Sequence, residues 1–174
     1  MNEENLILSV NTRYTAEEYI KFNKFHMFRK DNKFLKTVIV NVVILLALCI
    51  GYIEMKFYFG AVILCAIALF LDIFYFTTPK RYVRKILKTD KIFGKYDNTI
   101  SFFDTYIEMK NEISDSKIKY EDLYKAYRYN NNIYIYFNKN SAILVLSKDV
   151  KEKDIDEIQD WLIKKLDKKF IKVN

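Results

Sequence analysis

Thr37–Ile53 (TVIVNVVILLALCIGYI) and Phe57–Phe76 (FYFGAVILCAIALFLDIFYF), parted only by Glu54-Met55-Lys56, decide the reading of this chain. As helices at about 1.5 Å per residue they reach roughly 25 and 30 Å, close to the hydrocarbon thickness of a bilayer. Leu, Ile, Val and Phe number 11 in the first run and 12 in the second. At about −0.3 to −0.6 kcal/mol each, either run gains roughly 3 to 7 kcal/mol on insertion. A single off-centre Asn41 or Asp72 does not cancel that. The alternative, a buried hairpin in a soluble core, would need two unpatterned apolar runs of this length inside a small domain. Lys36 can snorkel to one headgroup layer and Tyr52 can sit at the other.

Charge sets the orientation. Lys21, Lys24, Arg29, Lys30, Lys33 and Lys36 stand against Asp31 before the first run, a net of +5. Lys80, Arg81, Arg84, Lys85, Lys88, Lys91 and Lys95 stand against Asp90 after the second, a net of +6, while the connecting loop is neutral. Positive flanks stay inside, so the expectation is a multi-pass inner-membrane protein with both termini cytoplasmic and no cleavable signal peptide. The flank cations from Lys21 to Lys36 and from Lys80 to Lys88 are candidate contacts to anionic inner-leaflet lipids. The chain's net charge of +7 comes from these flanks, because residues 96–174 carry 14 basic and 14 acidic side chains. A neutral domain has no bulk hold on a phosphate backbone, which argues against nucleic acid as a partner.

Outward from the hairpin, Asn5–Asn11 (NLILSVN) reads as a strand, and Thr15-Ala16-Glu17-Glu18 has the form of a capping box with Thr15 as N-cap. The helix it opens carries an aromatic stripe of Tyr19, Phe22, Phe25 or His26, and Phe28. That stripe suits either the inner membrane surface or a place against the soluble domain. Pro79, the single proline, suits the first turn of a new basic helix from Lys80 to about Ile92, ending near Gly94. Beyond Asp97 come six aromatic alternating segments: Thr99–Phe103, Thr105–Lys110, Ile113–Tyr120, Leu123–Tyr129, Ile133–Phe137 and Ala142–Leu146. Asp104, Asn111-Glu112, Asn130-Asn131-Asn132 and Asn138–Ser141 supply the turns. These strands predict a meander, to which Asn5–Asn11 adds a seventh by pairing back across the hairpin. A helix from about Lys151 to Phe170 follows, capped by Asp149 and Glu152. Ile155, Ile158, Leu162 and Leu166 recur at helical spacing, with Trp161 beside them. The expected parts are residues 1–36, a hairpin 37–76 with spans 37–53 and 57–76, a basic juxtamembrane helix 77–95, and a cytosolic domain 96–174.

The entry YTAEEY (Tyr14–Tyr19), the hairpin, and above all Asn98–Ser147, with IKYEDLYKA (Ile118–Ala126), NNIYIYF (Asn131–Phe137) and AILVLS (Ala142–Ser147), resemble the YcxB-like family of bacterial membrane proteins. The resemblance covers nearly the whole chain. It implies a pleckstrin-homology-like cytosolic domain and no catalytic residues. The first hairpin loop, Phe103-Asp104-Thr105, is not basic, which argues against phosphoinositide recognition.

Little in the residues points to catalysis. His26, the sole histidine, lies beside the membrane, so no Ser-His-Asp set can assemble. Gly51, Gly60 and Gly94 build no phosphate loop. Glu121-Asp122 and Asp154, Asp156, Glu157 and Asp160 read as a solvated, dipole-matched face. Cys49 and Cys65 lie within the spans at different depths and read as free apolar thiols, so neither a disulfide framework nor a metal site is expected, and no cofactor. Asp72, the one ionisable residue inside a span, comes to a depth similar to that of Asn41, and the two form a candidate intramembrane hydrogen-bonded pair. Tyr120, Tyr124, Tyr127, Tyr129, Tyr134 and Tyr136 are the candidate partner face, since Tyr is favoured at interfaces, set against the plainer reading of half-buried cross-strand pairs. The sequence thus predicts an α+β membrane protein: a two-helix transmembrane hairpin plus a pleckstrin-homology-like antiparallel meander of six to seven strands with a C-terminal amphipathic helix. The expected role is a membrane-anchored, non-enzymatic binding or regulatory module that docks a protein partner or another copy of itself. The alternatives are an anionic-lipid surface sensor and a small oligomeric transport or channel subunit around Asp72.

Overall fold

The computed structural model describes residues 5–30, 33–89 and 95–173; side chains at 33, 34, 72, 75, 76, 87 and 89 are outside the description. The chain divides into two compact units, Ala16–Asp90, and Met1–Thr15 together with Lys91–Asn174.

The first unit is helical. Helix α1 (Ala16–Phe28) starts directly after Thr15, with Glu17 and Glu18 in its first turn where the dipole favours acids. Phe22 and Phe25 are buried, and α1 packs on α2 (Lys33–Glu54) and α3 (Tyr58–Thr89). The aromatic stripe therefore serves packing among helices. A tight turn folds α3 back on α2. Phe57 N–H donates to Tyr52 O at 2.9 Å, and Lys56 N–H to Ile53 O at 2.9 Å. These are the two bonds of a Schellman cap, with Lys56 (φ 57°) in the left-handed position usually given to glycine. Gly60 sits one turn into α3 beneath the rings of Phe57 and Tyr52, whose centroids are 5.7 Å apart. A Cβ there would lie 2.5 Å from Phe57 Cδ1 and 2.8 Å from Tyr52 Cδ1, whereas one at Gly51 meets nothing within 4 Å.

The expected break at Pro79 does not occur. Helix α3 runs unbroken for 32 residues with Pro79 inside it. Proline cannot donate to the carbonyl four residues back and crowds it, which strains a helix interior. Just upstream, the Thr77 hydroxyl donates to Ile73 O at 2.9 Å and the Thr78 hydroxyl to Phe74 O at 2.8 Å. Such back-bonding accommodates a local bend without ending the helix.

The second unit is α+β. Sheet one has the order β1 (Leu6–Thr12), β2 (Asn98–Phe103), β3 (Tyr106–Lys110), β4 (Asp115–Lys119), all antiparallel. The N-terminal strand thus pairs across the intervening helices, with Thr12 opposite Asn98 and the Ser9 and Ser101 hydroxyls 3.1 Å apart. Sheet two has the order β7 (Ala142–Val145), β6 (Asn132–Tyr136), β5 (Lys125–Tyr129), β8 (Phe170–Lys172). Asn130 and Asn131 turn β5 into β6 with φ of 47° and 60°, as a two-residue hairpin requires. Strand β4 begins later than expected because Asn111 Oδ1 accepts the N–H groups of Ile113 and Ser114 at 2.9 and 2.8 Å, holding those residues in the turn.

Helix α4 (Glu152–Leu166) lays Ile155, Ile158, Leu162 and Leu166 into a core shared by both sheets, with Ile100, Phe102, Ile107, Ile133 and Ile135. At about 1.5 to 3 kcal/mol per fully buried side chain, those four contribute roughly 6 to 12 kcal/mol of transfer energy. Arg128 on β5 reaches α4 at Asp156 and Gln159, both at 2.6 Å.

Three expectations about this unit are corrected. The single six-stranded meander is two four-stranded sheets, because a 3-10 turn at Tyr120–Asp122 interrupts the ladder between β4 and β5. Tyr120 makes that interruption a joint. Its hydroxyl donates to Phe103 O and accepts from Trp161 Nε1–H, each at 2.9 Å, tying sheet one to α4. The last helix ends at Leu166 rather than Phe170. Asp167 (φ 48°) and a 3-10 turn redirect the chain into β8, which runs parallel to β5 with Phe170 opposite Ala126. Asp149 does not cap α4, whose N-cap is Lys151 without a side-chain bond; Asp149 Oδ2 instead accepts the Thr12 hydroxyl at 2.6 Å.

Two predictions follow from this packing. Gly60→Ala should destabilise the hairpin in detergent by about 1 to 3 kcal/mol through overpacking, while Gly51→Ala should be neutral or gain up to about 1 kcal/mol from helix propensity. Equal behaviour of the two in thermal unfolding would remove the close approach as the cause. Burial pushes the hydroxyls of Tyr14, Tyr120 and Tyr134 up to about 12. A folded value above the unfolded one of about 10 means that the stabilisation is complete below pH 10 and is lost as pH climbs from 10 to 12. Tyrosinate absorbance at 295 nm should show a late-titrating fraction, with the denaturation midpoint falling over the same window; full ionisation of the folded protein by pH 11 would contradict it.

Candidate membrane-facing site

The helical unit exposes apolar side chains. On α2, Ile39, Val43, Leu46 and Ile50 are 54 to 59 % exposed; on α3, Phe59, Val62, Leu69 and Phe70 are 65 to 70 % exposed. Left in water, these eight would forfeit roughly 10 kcal/mol of burial energy, comparable with the whole stability of a domain. A patch of this kind needs a non-aqueous neighbour. Among the described residues, one helix is long and apolar enough to cross a membrane, Leu35–Glu54, 20 residues of mean hydropathy 2.3. The expected second span falls within α3, where the apolar stretch among the described residues is Tyr58–Leu71.

Below that stretch α3 turns basic. Lys80, Arg81, Arg84, Lys85 and Lys88 are all exposed. At 100° per residue they occupy a sector of about 140°, and Val83, completely buried, lies outside it. Arg81, Arg84, Lys85 and Lys88 line an open groove of about 540 Å³. The Arg81 guanidinium also lies 5.3 Å from the Phe74 ring centroid, joining the apolar belt to the cationic stripe. The other expected lipid contacts are less uniform. Lys21 is paired with Glu17 at 2.8 Å, which raises its affinity for its proton and compensates its charge locally. Lys24, Arg29 and Lys36 are exposed and Lys30 is half-buried, while the Lys33 side chain is outside the described residues.

The intramembrane pair cannot be placed in the same way: Asn41 is half-buried, and the Asp72 side chain lies outside the described residues. The cysteines are corrected. Cys49 and Cys65 are free thiols, but not at different depths, because the register set by the turn at Lys56 brings their sulfurs to 3.7 Å. His26 is half-buried with its ring 6.0 Å from Phe22.

The tyrosine face is corrected as well. Tyr120, Tyr127, Tyr134 and Tyr136 are buried, and Tyr124 and Tyr129 are half-buried. Strand β6 is buried at four consecutive positions, Ile133 to Tyr136, so both faces of this sheet are covered and alternation does not separate a wet face. Tyr127 and Tyr136 meet edge-on at 5.6 Å. Sequence reasoning missed an open groove of about 510 Å³ between β1 and α4, lined by Ile7, Trp161, Lys153, Asp156, Glu157, Asp160 and Lys164. The bulge between Leu6 and Leu8, next to this groove, leaves no mark in sequence. The acids of α4 and Glu121-Asp122 are surface groups, Asp154 half-buried and the others exposed. Among the described residues no group of three or more His, Cys, Asp or Glu could hold a metal ion.

No curated protein and no solved structure matches the chain. Residues 102–162, from β2 into α4, match the model of the family described as YcxB-like protein, and the family assignment rests on this segment.

Proposed function

We propose that this protein is a bilayer-anchored module that engages the anionic inner leaflet. In this reading α2 and the apolar half of α3 cross the membrane as a hairpin, both termini are cytoplasmic, and the α+β unit is a pleckstrin-like domain at the membrane surface. The observation that carries it is the continuity of α3. Its 32 residues measure about 48 Å, against a hydrocarbon core of about 30 Å. A helix of that length, apolar from Tyr58 to Leu71 and basic on one exposed face from Lys80 to Lys88, carries its cations to the headgroup layer as one continuous element. Each Lys or Arg near an anionic surface is worth about 1 kcal/mol, falling off within a Debye length. Five on one stripe suffice to make stability depend on lipid charge. A second reading, a protein partner or a second copy docked on the α+β unit, has the open β1–α4 groove in its favour; the tyrosine face no longer supports it.

Reconstituted in nanodiscs, the protein should unfold several degrees higher in phosphatidylglycerol–phosphatidylcholine mixtures than in phosphatidylcholine alone. Replacing Arg81, Arg84, Lys85 and Lys88 together by Gln, or adding salt, should erase the difference; equal melting in both lipids would sink the lipid-sensing reading. The topology has its own test. In a cysteine-free background, a membrane-impermeant maleimide applied to intact cells should label Lys56→Cys but reach Lys139→Cys only after lysis, and the reverse pattern would invert the orientation.

A further inference from the structure

We propose that Cys49 and Cys65 form a redox-active thiol pair, a disulfide site that staples α2 to α3. The two sulfurs are 3.7 Å apart on facing sides of two helices. A disulfide needs about 2.05 Å, so the sulfurs must close by roughly 1.7 Å, a movement within reach of small rotations about the two χ1 angles. The turn keeps them in register: the Schellman bonds to Tyr52 and Ile53 and the close approach at Gly60 fix the start of α3 against the end of α2. The chain holds no other cysteine, so an intramolecular disulfide has a single solution. The two thiols are not equivalent. Cys65 is exposed on the flank of α3, and Cys49 is buried behind it with its sulfur 3.7 Å from Ala61 O.

That asymmetry assigns the order of events. Cys49 lies five residues before Glu54 and Cys65 seven after Tyr58, about 8 and 10 Å from the turn along their helices. In the membrane topology proposed above, on which the choice of oxidant rests, this depth is within the outer half of the bilayer. The oxidant class that dissolves there is a lipid-soluble quinone. The Cys65 sulfur adds to the quinone, its proton passing to a quinone oxygen. The Cys49 sulfur then attacks Cys65, forming the S–S bond and breaking the sulfur–quinone bond. The two electrons and both thiol protons leave as hydroquinone. Reduction by a dithiol reverses the modification. Oxidation would hold the hairpin closed by a covalent bond in addition to apolar packing.

The full-length protein in nanodiscs is treated with a short-chain ubiquinone, or with copper–phenanthroline as a general thiol oxidant, then with N-ethylmaleimide, and weighed intact. The expected product is 2 Da lighter, takes up no maleimide, and recovers two sites after dithiothreitol. Cys49→Ser and Cys65→Ser should each abolish it. Moving one thiol by about 100° round α2, as Cys49→Ser with Ile50→Cys, should abolish it too, which separates facing geometry from random collision. Two maleimides retained on the oxidised wild type, mainly intermolecular dimers, or equal crosslinking from position 50 would overturn the proposal. A product with copper–phenanthroline and none with the quinone would overturn the oxidant class and the order of events. Labelling at Lys56→Cys and Lys139→Cys reads the topology without either native thiol, so failure of the pair and failure of the membrane reading are told apart.

Discussion

Apolar side chains on the outside of α2 and α3 have to be kept from water, and most other features of the protein answer to that constraint. Ile50 and Phe70 are more than half exposed, as is most of their neighbourhood. The α+β unit does the opposite, burying Leu162, Ile133 and Ile107 completely. One chain thus carries two solvents' worth of design: a unit with its apolar groups outside and a unit with them inside. Charge follows the same division. The α+β unit is electrically balanced, and the excess cations sit on the helices next to the apolar belt.

The connection between the two units is topological. Strand β1 comes before the helices and β2 after them, yet they are neighbours in one sheet, with Thr12 opposite Asn98. The helical unit is therefore an insertion between two paired strands. Both of its chain ends are held by a ladder that also carries the Thr12–Asp149 bond and the Tyr14 hydroxyl, which accepts the Leu144 N–H at 3.1 Å.

Much of this was legible in the sequence because it is local. The two apolar runs, the capping signal at Thr15, the Asn130-Asn131 turn and the Ile155, Ile158, Leu162, Leu166 face of α4 each follow from a short window. What sequence reading missed depends on distant partners. Strand β8 is three residues long and exists because β5 offers an edge. Pro79 signals a helix start wherever its surroundings are ignored, but α3 continues through it, with the Thr77 and Thr78 hydroxyls bonded back to the Ile73 and Phe74 carbonyls. Alternation in β5 and β6 suggested a wet tyrosine face, and burial on both sides removed it. Sequence alone puts the cysteines at different depths, whereas their sulfurs meet at 3.7 Å. The register is set instead by the turn at Lys56, which no hydropathy argument contains. Of the candidate sites, the basic stripe was legible because helical spacing alone puts Lys80, Arg81, Arg84, Lys85 and Lys88 on one side.

The loss of the tyrosine face and the survival of the stripe shift the weight between the functional readings. A docking surface on a sheet needs exposed side chains, and β6 has almost none. A lipid surface needs only charge at the correct height, and α3 supplies that by length. Were the helix broken at Pro79, the cations could pivot away from the headgroups at little cost. Continuity of the helix limits that freedom even with the backbone bond that Pro79 leaves unmade, and the Thr77 and Thr78 back-bonds sit just upstream of it. In the proposed membrane reading the stripe's height is set by where the apolar stretch ends. In the proposed reading, coupling of lipid charge to fold thus rests on continuity of a single helix rather than on a pocket.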